Sequence, residues 1–308
     1  MAMPTLLDVA KHNNDDGVVG IIDETIRTHP ELMQIPAEDI EGQSYDTLVR
    51  VDVPTGGFRG ANEGRAAAKG TWENRHVQTF IADCSVECDQ AVADTFHKGR
   101  EVYLAREAAA VLEGQWRALC SQFYYGDDTS VATSIAANKE KGFPGLVEMY
   151  DSTNMEVTTG GSGSDLSSAW LIKFGEAWLH WVFGQNGRIV RGDIQQVRLT
   201  DGSDNPYDGY RLPMLGYIGC QMVNKKSIVR VKCIEPDNKL TDALLYQALD
   251  KFPAGVSPDI ILMSRRSRRY LRDGRTATNA TGQPAPNPTE FEGVPIFVTD
   301  AISDAESA

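Results

Sequence analysis

Residues 45–84 read YDTLVRVDVPTGGFRGANEGRAAAKGTWENRHVQTFIADC. Tyr45–Val53 alternates between apolar and polar, with Leu48 and Val49 as the only slip, and Arg75–Cys84 alternates with His76 and Gln78 out and Val77 in. Both runs have the period of strands. The 21 residues between them hold five glycines (Gly56, Gly57, Gly60, Gly64 and Gly70) and little to bury. Unstructured connections of that length are uncommon in compact domains and usually serve a function. The stretch predicts a long two-stranded finger with a pliant tip. A lone ribbon is marginal in water, so a chain that carries one lays it on a partner.

The flanking segments differ in character. The first 48 residues carry ten acids against Lys11 and Arg27, a net charge of −8 out of −13 for the 308-residue chain. Val18, Ile21, Ile22, Thr25 and Ile26 predict a helix over Val18–Thr28, with Asp15 or Asp16 as its cap and His29-Pro30 as its breaker. Such a segment is too thin to own a core. Beyond the finger, Val86–Gln122 has no proline and a helical apolar spacing from Val92 to Leu119, which predicts one long helix, kinked at Gly99. At 1.5 Å per residue it would span roughly 55 Å.

The rest reads as strands followed by mixed structure. After a polar loop (Tyr125–Lys141) and the turn Gly142–Gly145, strands are expected at Ser168–Phe174, Trp178–Phe183, Ile194–Leu199, Tyr210–Leu215, Tyr217–Val223 and Ile228–Ile234, forming an antiparallel meander. Leu240–Phe252, capped by Thr241, and Arg265–Arg272 read as helices. Pro258–Met263 and Val294–Thr299 read as strands.

Chemistry is hard to find. There is no P-loop, and Gly160-Gly161-Ser162-Gly163-Ser164 lacks the third glycine of a dinucleotide fingerprint. No nucleophile elbow exists. The five histidines are scattered, and Asp201–Asp208 has turn composition without calcium-loop spacing. Five cysteines with a C-x-x-x-C pair match neither a secreted disulfide framework nor a zinc site. No cofactor, metal or catalytic residue is expected. No apolar run approaches the ~20 residues of a membrane span, no secretory signal opens the chain, and the acidic balance argues against general nucleic-acid binding. One charge feature stands out: Arg265, Arg266, Arg268, Arg269, Arg272 and Arg275 against Asp273, a local +5. It reads either as a solvated helix face, or as a patch for the acidic arm of a neighbour (Asp15, Asp16, Asp23, Glu24), or as a phosphate contact.

An acidic arm, a finger, a spine helix, a sheet and an α/β segment are together the parts of an assembly subunit, whose neighbours cover what it cannot bury. The chain resembles the major capsid proteins of tailed bacteriophages, with the Hong Kong 97-type fold. The carrying stretches are IPAEDIEGQSYDTLVRVDVPTGGFRGANEG (35–64), ENRHVQTFIADCSVECDQAVAD (73–94), FYYGDD (123–128), GFPGL (142–146), SSAWLIKFGE (167–176), NPYDGYR (205–211), LMSRRSRRYLR (262–272) and FEGVPIFVTDAI (291–302). The resemblance covers nearly the whole chain.

It implies an α+β fold: an N-arm (1–44), an extended β-hairpin E-loop (45–84), a P-domain spine helix and loop (85–141), an α/β A-domain together with the P-domain sheet (142–290), and a C-terminal core strand (291–308). It implies a non-enzymatic coat protein, made in the bacterial host cytoplasm and located in the virion. Such a protein self-assembles as hexamers and pentamers around double-stranded DNA held by weak non-specific contact. Because the arm begins almost at once, a separate scaffold protein is expected, with a portal and a possible decoration protein as further partners. Inter-subunit contacts are expected from the acidic arm residues, from Phe58, Arg59, Arg65 and Lys69 at the finger tip, and from Arg265, Arg266, Arg268, Arg269 and Arg272. Some family members join subunits covalently through an E-loop lysine, and Lys69 has the place for this, although no partner asparagine can be named. The alternatives are an encapsulin-type compartment shell, and a soluble enzyme or carbohydrate-binding β protein.

Overall fold

A computed structural model describes residues 27–126, 141–184, 189–277 and 283–306. All but the last two residues of the helix expected over 18–28, and most of the loop 125–141, lie outside them. The first described elements are the single turn α1 (Pro30–Gln34), with Pro30 at the position where a helix tolerates it, and β1 (Ala37–Asp39). Then β2 (Ser44–Asp52) and β3 (Thr71–Gln78) pair antiparallel from Ser44↔Gln78 to Asp52↔Thr71, making the expected two-stranded ribbon.

The chain continues as β4 (Phe80–Asp83), β5 (Val86–Asp89) and the turn α2 (Gln90–Ala93), whose Ala91 amide donates to the capping Asp89 carboxylate. Only then does the long helix α3 (Arg100–Tyr125) begin. This corrects the single helix expected from Val86. Residues 86–89 are drawn into a ladder with a distant strand. Gly99 takes φ +92°, a conformation that starts a helix rather than kinking one. The helix therefore has 26 residues, about 39 Å.

It is a beam between two cores. Tyr103, Leu104 and Ala108 sit in a smaller apolar cluster with Val86, Cys88, Tyr210 and Leu212. Leu119 and Phe123–Tyr125 sit in the main one with Trp170 and Trp181. Just past its end, Gly126 accepts the amide of Gly145 at 3.0 Å, and a Cβ on Gly145 would lie 2.3 Å from the Gly126 nitrogen. Only glycines allow this approach.

Next come α4 (Leu146–Met149), β6 (Glu156–Thr158), β7 (Ser167–Ile172), β8 (Leu179–Phe183), β9 (Val190–Arg191), β10 (Gln195–Thr200), β11 (Pro206–Leu212), β12 (Met214–Met222) and β13 (Ile228–Ile234). They do not form one meander, which is a second correction. β7 is buried along its whole length and becomes a central strand. β10 is mostly exposed and stays at an edge. The strands divide among a six-stranded mixed sheet (β13 beside β7 and β6), a five-stranded sheet (β1-β8-β12-β4, with β9 on β12) and a three-stranded sheet (β10-β11-β5).

The six-stranded sheet is completed by β14 (Ile260–Met263), β15 (Glu290–Phe291) and β16 (Val294–Val298). It is accompanied by α5 (Asp242–Leu249), whose cap is Thr241 as expected, and α6 (Arg265–Ala277). All five cysteines are buried free thiols.

Candidate assembly interface

Among the described residues the ribbon is fastened only at its root. The Gln221 amide donates to Thr47 Oγ1 at 3.0 Å, Arg75 donates to the Val223 carbonyl, and Tyr45 Oη lies 3.4 Å from His180 Nε2. Beyond Leu48 and Asn74 the strands have, among the described residues, only each other. Leu48 is 61% exposed, Trp72 55% and Phe58 fully so, with Val51 and Val53 equally bare. Arg50 lies 5.8 Å from the Trp72 ring centre across the ribbon. Five large apolar side chains, at ~1.5–3 kcal/mol each when fully exposed and four of them little more than half exposed, leave roughly 5–10 kcal/mol of burial for a docking partner to recover, before the cost of association.

The tip is basic. Arg59 donates to the Glu63 carbonyl at 2.9 Å and Arg65 to the Thr55 carbonyl at 3.0 Å. Both guanidinium groups, with exposed Lys69, stand against Glu63 alone.

The arm root is nailed into the main core. Glu31 is fully buried, accepts a hydrogen bond from Tyr124 Oη at 2.8 Å, and its carbonyl accepts from Trp181 Nε1 at 3.0 Å. His29 meets Glu113 of α3 at 3.2 Å, and Arg117 joins the same carboxylate at 3.0 Å. Asp15, Asp16, Asp23 and Glu24 lie outside the described residues.

Burial lifts the Glu31 carboxyl above its ordinary 4.5. The folded state thus holds this proton more tightly than the unfolded chain. The stability it contributes is complete below about pH 4.5 and is lost as pH rises through the raised value. Glu31→Gln keeps an acceptor for Tyr124 and cannot ionise. We expect its melting temperature to vary less than the parent's over about pH 4–8; parallel thermal-unfolding profiles would refute this.

The arginine cluster is divided by the fold. Arg266 lies 3.2 Å from Asp304 and donates to the Asp165 carbonyl at 2.7 Å. Arg272 donates to the Ala285 carbonyl at 2.7 Å, and Arg275 grips Asp242 with two nitrogens. These three hold α6 to its own subunit. Arg265, 3.6 Å from Asp300, and Arg269, 5.3 Å from the Tyr270 ring centre, are exposed; Arg268 is half-buried without an ion pair among the described residues. The acids that claim Arg265, Arg266 and Arg275 are distant in sequence, so no local signal could have found them.

Sequence reading also missed an exposed apolar face on the five-stranded sheet, made by Ile81, Ile189, Val190 and Leu215. Alternation from Val77 would put Ile81 inside. The ladder breaks at Thr79, whose amide turns to the Gln43 carbonyl, and the phase flips.

Among the described residues no helix is long and apolar enough to cross a membrane. No curated protein sequence matches the chain. The family description of the major capsid protein GP7 matches residues 13–308. Among solved structures, a chain of bacteriophage Epsilon15 is 17% identical with a TM-score of 0.72, covering 100% of this chain and 98% of its own. The bacteriophage JBD30 capsid is 13% identical with a TM-score of 0.55, covering 98% and 99%. An encapsulin of Synechococcus elongatus is 8% identical with a TM-score of 0.46, covering 76% and 97%, too distant to carry an argument. A subunit with a bare apolar ribbon, a helical beam between two cores and three sheets thus has the Hong Kong 97-like architecture, and the chain belongs to the major capsid protein GP7 family, whose members are the coat proteins of phage heads.

Proposed function

We propose that this coat protein closes, as hexamers and pentamers, around packaged double-stranded DNA, and that its ribbon is the strap between neighbouring copies. The observation that carries the strap is the free-standing ribbon with Leu48, Val51, Val53, Phe58 and Trp72 bare. An exposed apolar hairpin is an aggregation hazard in a monomer and an interface in an assembly. In this reading residues 1–44 are an arm, 45–84 the E-loop, and 85–141 the spine helix and loop. Residues 142–290 then form the A-domain with the P-domain sheet, and 291–308 the closing strand. The subunit has no enzymatic role. Scaffold, portal and decoration proteins are its partners in the host cytoplasm and the virion. The acidic wall suits a DNA container, because phosphate is repelled rather than held. Electron microscopy of the expressed protein, with and without co-expressed scaffold candidates, tests the reading. Closed shells are expected, and a protein that stays monomeric in every condition defeats it.

The arm and the arginine helix form a second contact in this proposal. Asp15, Asp16, Asp23 and Glu24 of one copy meet Arg265, Arg268 and Arg269 of the next, while Arg266 and Arg272 stiffen the helix beneath. Charge reversal at Arg268 and Arg269 is expected to leave the melting temperature within a few degrees of the parent, since surface changes cost about ±0.5 kcal/mol, and to lower shell yield. Normal shells from that variant would remove the arm-to-helix contact.

A further inference from the structure

The ribbon needs a surface to lie on, and the same subunit presents one that fits it. β4 and β5 pair with β12 and β11 in one unbroken register, from Phe80↔Ile218 through Asp83↔Leu215 to Leu212↔Val86 and Gly209↔Asp89. The Cys84 amide bonds the Met214 carbonyl in the gap between the two sheets. Side chains two apart share a face of such a ladder. Ile81, Asp83, Glu87 and Asp89 therefore stand on one side, with Tyr217, Leu215, Arg211 and Gly209 as their cross-strand partners. Val190 joins them opposite Leu215. The alternate residues Phe80, Ala82 and Ile218 turn into the main core, and Val86, Cys88 and Leu212 into the smaller one.

This strip is graded along its length. One end is apolar: Ile81 is 68% exposed and Val190 60%, with Leu215 and Ile189 beside them. The other end is acidic. Asp83 and Glu87 flank Arg211 at 3.8 and 3.7 Å, and Asp89 follows. The eight steps from Ile81 to Asp89, at ~3.3 Å each, make it roughly 26 Å long. The ribbon is graded in the same order. Its free stem carries Leu48, Val51, Val53 and Trp72, and its tip carries Arg59, Arg65 and Lys69 around Phe58. From Leu48 to Phe58 it spans about 33 Å when extended.

The ribbon cannot be its own occupant. β3 leads directly into β4 and β5, so the tip and Asp89 stand at opposite ends of one chain run.

We propose that the strip formed by Ile81, Leu215, Val190, Asp83, Glu87 and Asp89 receives the ribbon of a second copy, with apolar stem on apolar end and basic tip on acidic end. The inference rests on the ribbon being the inter-subunit strap and names the face it straps. The contact is heterologous, because ribbon and strip are different surfaces of every copy, and such contacts close into rings when the rotation allows. The acidic end supplies orientation and the apolar end most of the burial energy.

The native thiols are all buried, so introduced surface cysteines are the reactive ones. Two double variants test the contact, Trp72→Cys with Val190→Cys and Leu48→Cys with Ile81→Cys, treated as assembled particles with a short bismaleimide. The expected result is a ladder of covalent multimers on a denaturing gel. Each single variant is expected to run as monomer. A second measurement reads the charge order: Glu87→Lys is expected to lower shell yield, and adding Lys69→Glu to restore it. Shells that form normally yet give only monomer for both pairs overturn the proposed strip and leave the strap itself standing. Shells that close normally without residues 56–70 overturn the strap, and the strip with it.

Discussion

Replacing Glu306 by alanine is expected to lower folding stability by about 3–5 kcal/mol, the cost of leaving a buried ion without its partner. Glu306 is 2% exposed and two residues from the end of the sequence. Its carboxylate accepts from Tyr125 Oη at 2.5 Å, from Ser168 Oγ at 2.5 Å and from Arg230 Nη2 at 2.9 Å. Arg230 in turn donates to Ser168 at 2.9 Å and lies 5.1 Å from the Trp170 ring centre. The amide of Ser303 donates to Tyr125 Oη at 2.9 Å.

One carboxylate thus ties the end of the long helix, two strands of the main sheet and the C-terminal segment. Without it, the Arg230 guanidinium keeps its burial and loses its counter-charge, and two hydroxyls lose their acceptor. Glu306→Ala with Arg230→Met removes both charges and should recover much of the loss, since an ion pair replaced by apolar groups is often neutral. Urea unfolding of the two singles and the double gives the coupling directly. A Glu306→Ala loss within about 1 kcal/mol of the parent would show that the clasp is not a structural anchor.

That clasp also marks where sequence reading ends. Tyr125, Ser168, Arg230 and Glu306 come from four separate elements, and no spacing rule joins residues so far apart. The ribbon was legible because both strands and their glycine-rich connection are local and contiguous, with alternation and turn composition pointing the same way. The cap at Thr241 was legible for the same reason. The long helix was read 14 residues too early at its start. Residues 86–89 fit a helical apolar pattern, but pairing opposite Leu212 and Arg211 decided their state, and short segments yield to such tertiary contacts.

Of the seven strands β7–β13, all but the two-residue β9 were legible as strands, but their division among three sheets was not, since order within a sheet is set by which faces end up buried. At the interface, the residues of the ribbon tip were legible and those of the receiving strip were not. Ile81 stands outside only because the ladder changes phase at Thr79. Half of the arginine cluster looked available and is committed to Asp304, Ala285 and Asp242 within the chain.

Removing residues 56–70 is expected to abolish closed shells while leaving the subunit folded. The two effects separate because the deleted stretch touches neither core. All its residues except Gly70 are exposed, and its hydrogen bonds, Arg59 to Glu63 and Arg65 to Thr55, are internal to the tip. The root contacts at Thr47, Arg75 and Tyr45 remain, as do the ladder pairs from Ser44↔Gln78 to Arg50↔Trp72.

Surface loop shortening changes closure entropy by only about 0.6 kcal/mol per halving. The melting temperature and far-ultraviolet circular dichroism should therefore match the parent. What the variant loses is the basic tip with Phe58, the part of the strap that reaches furthest. An assembly repeats each contact in every subunit, so a strap lost once is lost around the whole ring, and a modest change per contact multiplies into failure to close. Sedimentation and electron microscopy of the variant should show subunits or small open oligomers. Closed particles of normal size from a folded variant would place the essential contacts elsewhere, and a variant that fails to fold would contradict the independence of the tip from both cores.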